Sequence, residues 1–328
     1  MMTTPPTRRR FIAITAAATG LAALGGGARA AGPKPLVWRG AVMGARAQIT
    51  LYHEDAQWAQ ARLRGVQGEI DRLENLFSLF RENSELVRLN RTGRLANPDI
   101  DMLELLSGAV AFTELSGGAF DVSVQPLWQL YAKHFAAPGA DPDGPGAQDL
   151  AETLKLVGAS AIQISTDEIR LARPGMALTL NGVAQGFVTD RITGLLQRAG
   201  LDNCLVWMGE TVGLGSKPGG APWVAGIADP SGSIVTRVPL SNRALATSGG
   251  YGSPFSADGR FHHLLDPRTG SSARHYASVS VMAPNATTAD MLSTALYILP
   301  ESQARRVLVR VAGAEAILQP FEGGFRRL

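Results

Sequence analysis

The sequence predicts an α+β fold, with mixed or antiparallel sheets and packed helices in two closely associated lobes. Residues 36–53 indicate two strands, because Ala47, Ile49 and Leu51 alternate with polar residues. Residues 55–77 carry apolar side chains at the spacing of one helix face. Residues 203–240 contain short apolar runs separated by turn residues, which is typical of successive strands.

The first thirty residues are predicted to be a twin-arginine export signal. Three arginines at positions 8–10 precede an apolar run over residues 11–24, and a small-x-small cleavage site ends at Ala30. That run is shorter than the ~20 residues of a membrane-spanning helix. We therefore expect cleavage after about Ala30 and a periplasmic protein of residues 31–328. An uncleaved N-terminal anchor is the alternative.

Charge and cysteine content argue against a nucleic-acid-binding protein and against a protein stabilised by internal disulfides. The chain has 31 basic and 28 acidic residues, and the signal takes away four arginines and no acidic residue, which leaves 27 against 28. No basic field remains that would indicate a nucleic-acid-binding protein. Cys204 is the single cysteine, so no internal disulfide can form, and its apolar neighbours indicate a packing role in a buried strand.

Residues 178–191 are predicted to form a short strand, a glycine turn and a helix. Val188 and Ile192 begin the apolar face of the helix, and Gly182 and Gly186 lie at the junction. Such a helix N-terminus offers amide groups and a positive dipole end to a phosphate. The other interpretation is that the glycines only allow the chain to turn.

Residues 287–299 are predicted to form a helix with two oxygen ligands on one face. Asp290 and Thr294 are four residues apart, and such pairs are neighbours on a helix surface. Oxygen donors suit Mg²⁺, which keeps several waters and also binds substrate phosphates. The competing interpretation is a capping box formed by Thr287 and Asp290.

Two further segments carry residues with open roles. Residues 119–124 are predicted to be a turn leading into a strand, in which Phe120 and Asp121 either contact a ligand or serve as a core residue and a cap. The proline- and glycine-rich residues 136–146 are a loop or a lobe boundary.

Residues 260–270 are predicted to be a strand that runs into a turn. Adjacent strand residues face opposite sides, so only one of His262 and His263 can face a site. From the sequence alone, a histidine in such a strand is either structural or catalytic.

In their order, these motifs resemble the ApbE family of FAD:protein FMN transferases over essentially the whole mature chain. The most specific strings are His-Leu-Leu-Asp-Pro-Arg-Thr-Gly at residues 263–270 and Ala-Asp-Met-Leu-Ser-Thr-Ala at residues 289–295. The resemblance implies a magnesium-dependent enzyme that splits FAD. Such an enzyme attaches FMN through its phosphate to a Ser or Thr hydroxyl of a partner protein and releases AMP.

The resemblance also implies roles for individual residues. Mg²⁺ would be held by Asp290, Thr294 and the backbone carbonyl of Gly182, and His263 would be the catalytic base. The implied FAD contacts are Met43, Phe80, Ala119, Phe120, Asp121, Thr179, Gln185 and Leu265.

Two departures from the family pattern stand out. Thr179 and Gln185 replace the usual acid and lysine of the glycine turn, and Gly209-Glu210 replaces the usual Gly-Gly-Asp. These changes resemble the NosX-like branch linked to nitrous oxide reductase maturation. Its implied client is a NosR-like membrane flavoprotein that bears a Ser/Thr flavinylation motif.

Three other functions compete with transfer. An FAD pyrophosphatase would use the same site with water as acceptor. A non-catalytic periplasmic flavin carrier would fit the neutral turn residues. A periplasmic solute-binding protein would leave the Asp/Thr and His motifs without a role.

Overall fold

The computed structural model describes residues 34–328, so the predicted export signal lies outside the described residues. An eight-stranded antiparallel sheet packs against helices, and two smaller sheets contain three and two strands. The predicted α+β class is therefore confirmed. Among residues 34–328, no helix is long and apolar enough to cross a membrane.

The main sheet carries the strands that border the site. Its strands, in spatial order, are β1 (Leu36–Val42), β2 (Ala45–Leu51), β6 (Cys204–Met208), β7 (Glu210–Leu214), β10 (Arg243–Ser248), β11 (Ser278–Ala283), β12 (Glu315–Gln319) and β13 (Arg326–Arg327). The predicted first hairpin is confirmed, with Val42 opposite Ala45 across a two-residue turn.

Four helices accompany this sheet: α1 (Ala56–Phe77), α6 (Ala184–Arg198), α7 (Ala286–Ile298) and α8 (Glu301–Leu308). Helix α1 begins where Asp55 accepts a hydrogen bond from the Trp58 amide at 2.9 Å. Its apolar positions Val66, Ile70 and Leu73 are fully buried, as the helical spacing predicts.

The remaining elements surround the smaller sheets. The three-stranded sheet contains β3 (Arg94–Ala96), β5 (Glu168–Leu171) and β4 (Ile162–Ile164), with helices α2 (Glu85–Thr92), α3 (Ile100–Leu115), α4 (Gln125–Ala136) and α5 (Ala147–Leu154). The two-stranded sheet contains β8 (Trp223–Ala228) and β9 (Ile234–Leu240). It shares a separate apolar cluster around Trp223 with strands of the main sheet.

The strand predicted within residues 119–124 is wrong. The segment forms a single 3₁₀ turn, Val122–Val124, and continues directly into α4. Asp121 starts the turn by accepting a hydrogen bond from the Ser123 amide at 2.8 Å. Pro126 then sits in the first turn of α4, where its fixed φ suits a helix.

Residues 137–146 form a loop between α4 and α5, which agrees with one of the two interpretations of the segment 136–146. The two helices pack against each other, because Leu127 and Tyr131 of α4 share an apolar cluster with Leu150 and Leu154 of α5. The loop therefore connects neighbouring helices.

Cys204 has the packing role that its sequence context indicated. It is fully buried in β6. Burial raises the pKa of its thiol to about 12, so the thiol stays protonated and unreactive.

Candidate functional site

The site is organised by the contact between α6 and α7. The predicted helix at residues 184–198 is confirmed, but the strand expected before it is not formed. Residues 178–180 have no regular secondary structure and are held by a side chain: Asn90 donates to the Leu178 carbonyl at 2.8 Å and accepts from the Leu178 amide at 2.7 Å. An amide side chain thus replaces a neighbouring strand.

The two helices bind each other reciprocally. The Gly186 amide of α6 donates to Oδ2 of Asp290 on α7 at 3.0 Å. In return, Asp190 of α6 accepts from the amides of Ala286 and Thr287 at the start of α7, both at 2.8 Å. The register between the helices is therefore fixed by hydrogen bonds at both ends of the contact.

The capping-box interpretation of Asp290 is wrong. Asn285 caps α7 by accepting from the Thr288 amide at 2.8 Å. The carboxylate of Asp290 instead reaches across to α6, and its Oδ1 forms no hydrogen bond within residues 34–328. One carboxylate oxygen is thus available to a ligand.

Gly186 allows the close approach of α6 to α7. A Cβ at this position would lie 2.4 Å from the carbonyl oxygen of Ala286 and 2.9 Å from Cβ of Asp290. Such distances are far below van der Waals contact, so a larger residue would push the helices apart.

We expect Gly186→Ala to lower the thermal midpoint of unfolding, with a cost of about 1–3 kcal/mol from overpacking. Gly194→Ala on the same helix is the matched control, because its Cβ would meet only the flexible end of Arg198. The control should be neutral or stabilising, since alanine favours a helix by about 1 kcal/mol over glycine. Equal midpoints for the two variants, measured by circular dichroism, would contradict this account.

Gly182 and Thr294, two of the predicted metal ligands, lie side by side. A Cβ at Gly182 would be 3.2 Å from Oγ1 of Thr294. Ser248, at the end of β10, brings its hydroxyl to 3.3 Å from Thr294 Oγ1 and 2.8 Å from Ser293 Oγ. The structure therefore brings the three predicted metal ligands together around one turn of α7.

The N-terminus of α6 is less open to an anion than the sequence suggested. The Ala184 amide donates to the Leu180 carbonyl at 2.7 Å, and the Gly186 amide is taken by Asp290. Within residues 34–328, the backbone amide of Gln185 has no hydrogen-bond acceptor. Phosphate binding here stays a prediction and would involve one free amide.

Sequence reasoning missed a second carboxylate at this site, Glu210. It begins β7 and is buried, and its Oε2 has no hydrogen-bond partner within the described residues. Burial raises its pKa well above the usual range, and the Asp290 carboxylate raises it further. The available signal was an acidic residue inside the apolar run of β6 and β7.

The pKa of Asp290 is raised to about 7, mainly because the carboxyl group is buried. The negative charge of Asp190 adds to the rise, whereas the Gly186 amide opposes it. The folded protein therefore binds a proton here more tightly than the unfolded chain does.

This shift predicts that the metal-free protein loses stability as pH rises from about 4 to about 7, at roughly 1.4 kcal/mol per pKa unit. A raised carboxyl pKa stabilises the fold below the unfolded pKa, and that contribution disappears as pH passes the folded pKa. Urea unfolding in EDTA between pH 5 and 8 should show a smaller loss of unfolding free energy for Asp290→Asn than for the parent. If the unfolding free energies of the two proteins changed equally with pH, the raised pKa of Asp290 would be contradicted.

The two adjacent histidines have different surroundings, as expected for neighbours that face opposite ways. The predicted strand at this position is wrong, because only isolated bridges form, between His262 and Pro254 and between Leu265 and Ser272. The His262 ring is buried, and its Nε2 lies 2.9 Å from the Ala273 carbonyl, so it is structural.

His263, the predicted base, is partly buried, and its Nδ1 is inaccessible and unpaired within the described residues. Burial, and secondarily the nearby His262, lowers its pKa to about 4. This value lies below the ordinary pKa of a histidine side chain. The ring is uncharged at pH 7 and can accept a proton, although as a weaker base.

The loop that carries these histidines is anchored to α7 just beyond Thr294. The His262 ring lies 5.8 Å from the ring of Tyr297, and the Tyr297 hydroxyl accepts from the Gly250 amide at 3.2 Å. Leu265, a predicted FAD contact, is buried against Leu127 and Tyr131.

Met43 and Phe80, two other predicted FAD contacts, lie at the C-terminal end of α1. Met43 has a left-handed φ of 49°, uncommon for a non-glycine residue, and its amide donates to the Glu74 carboxylate. Phe80 is 71% exposed. The end of α1 reaches α6 through an edge-to-face contact between Phe77 and Phe187.

Phe120 and Asp121 both make structural contacts. Phe120 is buried edge-on against Phe112. Asp121 accepts from the Ser123 amide and hydroxyl and from the Ala159 amide, so its carboxylate is fully engaged. Ala119, which precedes them, is fully buried. Contact of these three residues with FAD stays a prediction.

Thr179 and Gln185 lie between these groups. The Thr179 amide donates to the Val122 carbonyl at 2.8 Å, which joins this segment to the turn after Asp121. The Gln185 side chain covers Gly209: a Cβ at position 209 would lie 2.6 Å from Cδ of Gln185. The elements that carry the predicted FAD contacts are thus connected through α1, α6 and the turn at Val122.

A cavity of about 1040 Å³ opens beside the site, between α2, α4 and β5. Phe80 is the one predicted site residue among those lining it, and Asn181 connects it to the glycine turn. Within residues 34–328, no group of three or more His, Cys, Asp or Glu side chains is placed to hold a metal. The predicted metal site depends instead on hydroxyl and carbonyl oxygens as well as carboxylates.

The chain is similar to known proteins over most of its length. The ApbE family matches residues 43–318. An FAD:protein FMN transferase of Treponema pallidum is 31% identical over 303 residues, which cover 84% of this chain and 82% of that protein. Another FAD:protein FMN transferase, from Haemophilus influenzae, is 30% identical over 262 residues, which cover 76% of this chain and 75% of that protein.

Solved structures show the same similarity. The ApbE protein of Thermotoga maritima has a TM-score of 0.79 at 28% identity, covering 90% of this chain and 97% of that one. The apo form of the Pseudomonas stutzeri flavinyl transferase ApbE has a TM-score of 0.75 at 28% identity, covering 90% and 94%.

Proposed function

Because the chain belongs to the ApbE family, we propose that it is an FAD:protein FMN transferase. It attaches FMN through a phosphoester bond to a Ser or Thr hydroxyl of a client protein and releases AMP. The observation that carries the proposal is the meeting of Asp290, Thr294 and Gly182 at the contact between α6 and α7.

The residues of this site fit a hard divalent cation such as Mg²⁺. Asp290 keeps one oxygen free, Thr294 offers a hydroxyl, and Glu210 has a buried oxygen without a partner. Mg²⁺ prefers oxygen ligands of this kind. When bound, the cation would neutralise charge on the phosphoryl oxygens of FAD.

In the proposed reaction, the client hydroxyl oxygen bonds to the FMN-side phosphorus as the bond to the bridging oxygen breaks. AMP leaves with that oxygen. His263 accepts the hydroxyl proton, which its uncharged ring permits at neutral pH. The backbone amide of Gln185, at the N-terminus of α6, is available to donate to a phosphoryl oxygen.

We further propose that the client is a NosR-like membrane flavoprotein and that transfer takes place in the periplasm. The export signal predicted from residues 1–30 supports the periplasm as the compartment. The neutral residues Thr179 and Gln185, together with Gly209-Glu210, support the client branch.

One incubation separates transfer from its alternatives. Purified protein is mixed with FAD, Mg²⁺ and a peptide that bears a Ser/Thr flavinylation motif, and the products are separated with flavin fluorescence detection. A fluorescent peptide together with AMP supports the transferase. Free FMN with unlabelled peptide would indicate a pyrophosphatase, and unchanged FAD a carrier.

A further inference from the structure

Glu210 is a buried carboxylate with an unsatisfied oxygen. Its side chain is 7% exposed, and Oε2 has no hydrogen-bond partner within residues 34–328. Burying a carboxyl oxygen without a partner is unfavourable, because the oxygen loses its hydrogen bonds to water. A ligand of the functional protein is therefore expected to satisfy this oxygen.

On one side, contacts with α6 place Glu210 beside Asp290. The Gln185 side chain of α6 covers Gly209, the residue before Glu210. The next residue of α6, Gly186, donates its amide to Asp290. Successive residues of one helix therefore contact the start of β7 and the carboxylate of α7.

On the other side, contacts with β10 place Glu210 near Thr294. The backbone amide of Thr247 lies close enough to the Glu210 carboxylate to lower its pKa. The next residue, Ser248, has its hydroxyl 3.3 Å from Oγ1 of Thr294. These contacts place Glu210 beside the predicted cation position.

The two acidic side chains have few partners. When both are ionised, Asp290 and Glu210 repel each other. The Gly186 amide is the hydrogen-bond donor to Asp290, and Oε2 of Glu210 has no hydrogen-bond partner within the described residues. Gln185, which covers Gly209, is neutral. A divalent cation would balance the two carboxylates and supply a partner for the free oxygens.

We propose that Glu210 is the second carboxylate of the cation site, so that the FAD-free protein already binds a divalent cation between Glu210 and Asp290. The inference rests on the proposed function for the location of the site. It adds a ligand and an order of events, in which the cation binds before the dinucleotide.

Calorimetric titration of the FAD-free protein with Mg²⁺ alone tests the proposal. The parent should bind Mg²⁺, and Glu210→Gln should bind it at least about tenfold more weakly, since loss of a group that supports a metal costs 10–100-fold. Glu85→Gln is the matched control, because Glu85 is another buried carboxylate and lies on α2. The Mg²⁺ affinity of the control should stay within about twofold of that of the parent.

Thermal unfolding provides a second measurement that does not depend on activity. Mg²⁺ should raise the midpoint of the parent and of Glu85→Gln, but raise that of Glu210→Gln much less. If Glu210→Gln does not fold, Glu210→Asp keeps the charge on a shorter side chain and should still bind Mg²⁺ several-fold more weakly.

Parent-like Mg²⁺ affinity in the Glu210 variant that folds would overturn the proposal, as would a parent that binds no Mg²⁺ without FAD. Failure of the proposed function would give another result. If the parent binds Mg²⁺ and Glu210→Gln binds it more weakly, but the parent never labels the peptide, FMN transfer is contradicted and the cation site is supported.

Discussion

FMN transfer to a client peptide is expected to fall about 10²–10⁴-fold in His263→Ala, the usual contribution of general base catalysis, while FAD binding is retained. The His263 ring is neutral at pH 7 because its pKa is lowered to about 4. Initial rates of peptide labelling at saturating FAD and Mg²⁺ measure the loss.

The matched control is His134→Ala. His134 lies in the last turn of α4, where its Nε2 contacts the Asp141 carbonyl at 2.8 Å, and it has no predicted site role. The control should transfer FMN at the parent rate. Undiminished transfer by His263→Ala, with folding confirmed by circular dichroism, would remove His263 as the base.

Asp290→Asn is expected to lower transfer at least about 100-fold and to abolish the response to Mg²⁺. Loss of metal stabilisation of the reacting phosphoryl group removes several kcal/mol, and each 1.36 kcal/mol is tenfold in rate. Asparagine can still accept from the Gly186 amide, so the contact between α6 and α7 should survive. Transfer rates across a Mg²⁺ titration measure both effects.

Asp229→Asn is the control for this substitution, since Asp229 lies in the exposed turn between β8 and β9. It should keep the parent rate and the parent Mg²⁺ dependence. A normal Mg²⁺ response in Asp290→Asn would show that the cation acts elsewhere.

Local signals were sufficient for most of the helices near the site. The apolar face and the Asp55 cap predict α1, and the spacing of Val188 and Ile192 predicts α6. These features depend on residues within a few turns of one another. The sequence also placed Asp290 and Thr294 on one face of α7, which the structure confirms.

Contacts between distant residues could not be predicted in this way. Asn90 holds Leu178 across 88 positions, and Gly186 reaches Asp290 across 104. The first contact replaces an expected strand. The second directs the Asp290 carboxylate to α6, away from the capping role that was the competing interpretation. The role of Glu210 likewise depends on burial against other elements, which a strand pattern does not reveal.

A crystal structure with FAD and Mg²⁺ bound tests the central claim most directly. We predict the cation on Asp290 and Thr294, with the FAD diphosphate bound to it beside the N-terminus of α6 and near His263. If the Asp290 carboxylate contacts only the Gly186 amide and the diphosphate lies elsewhere, the account is contradicted.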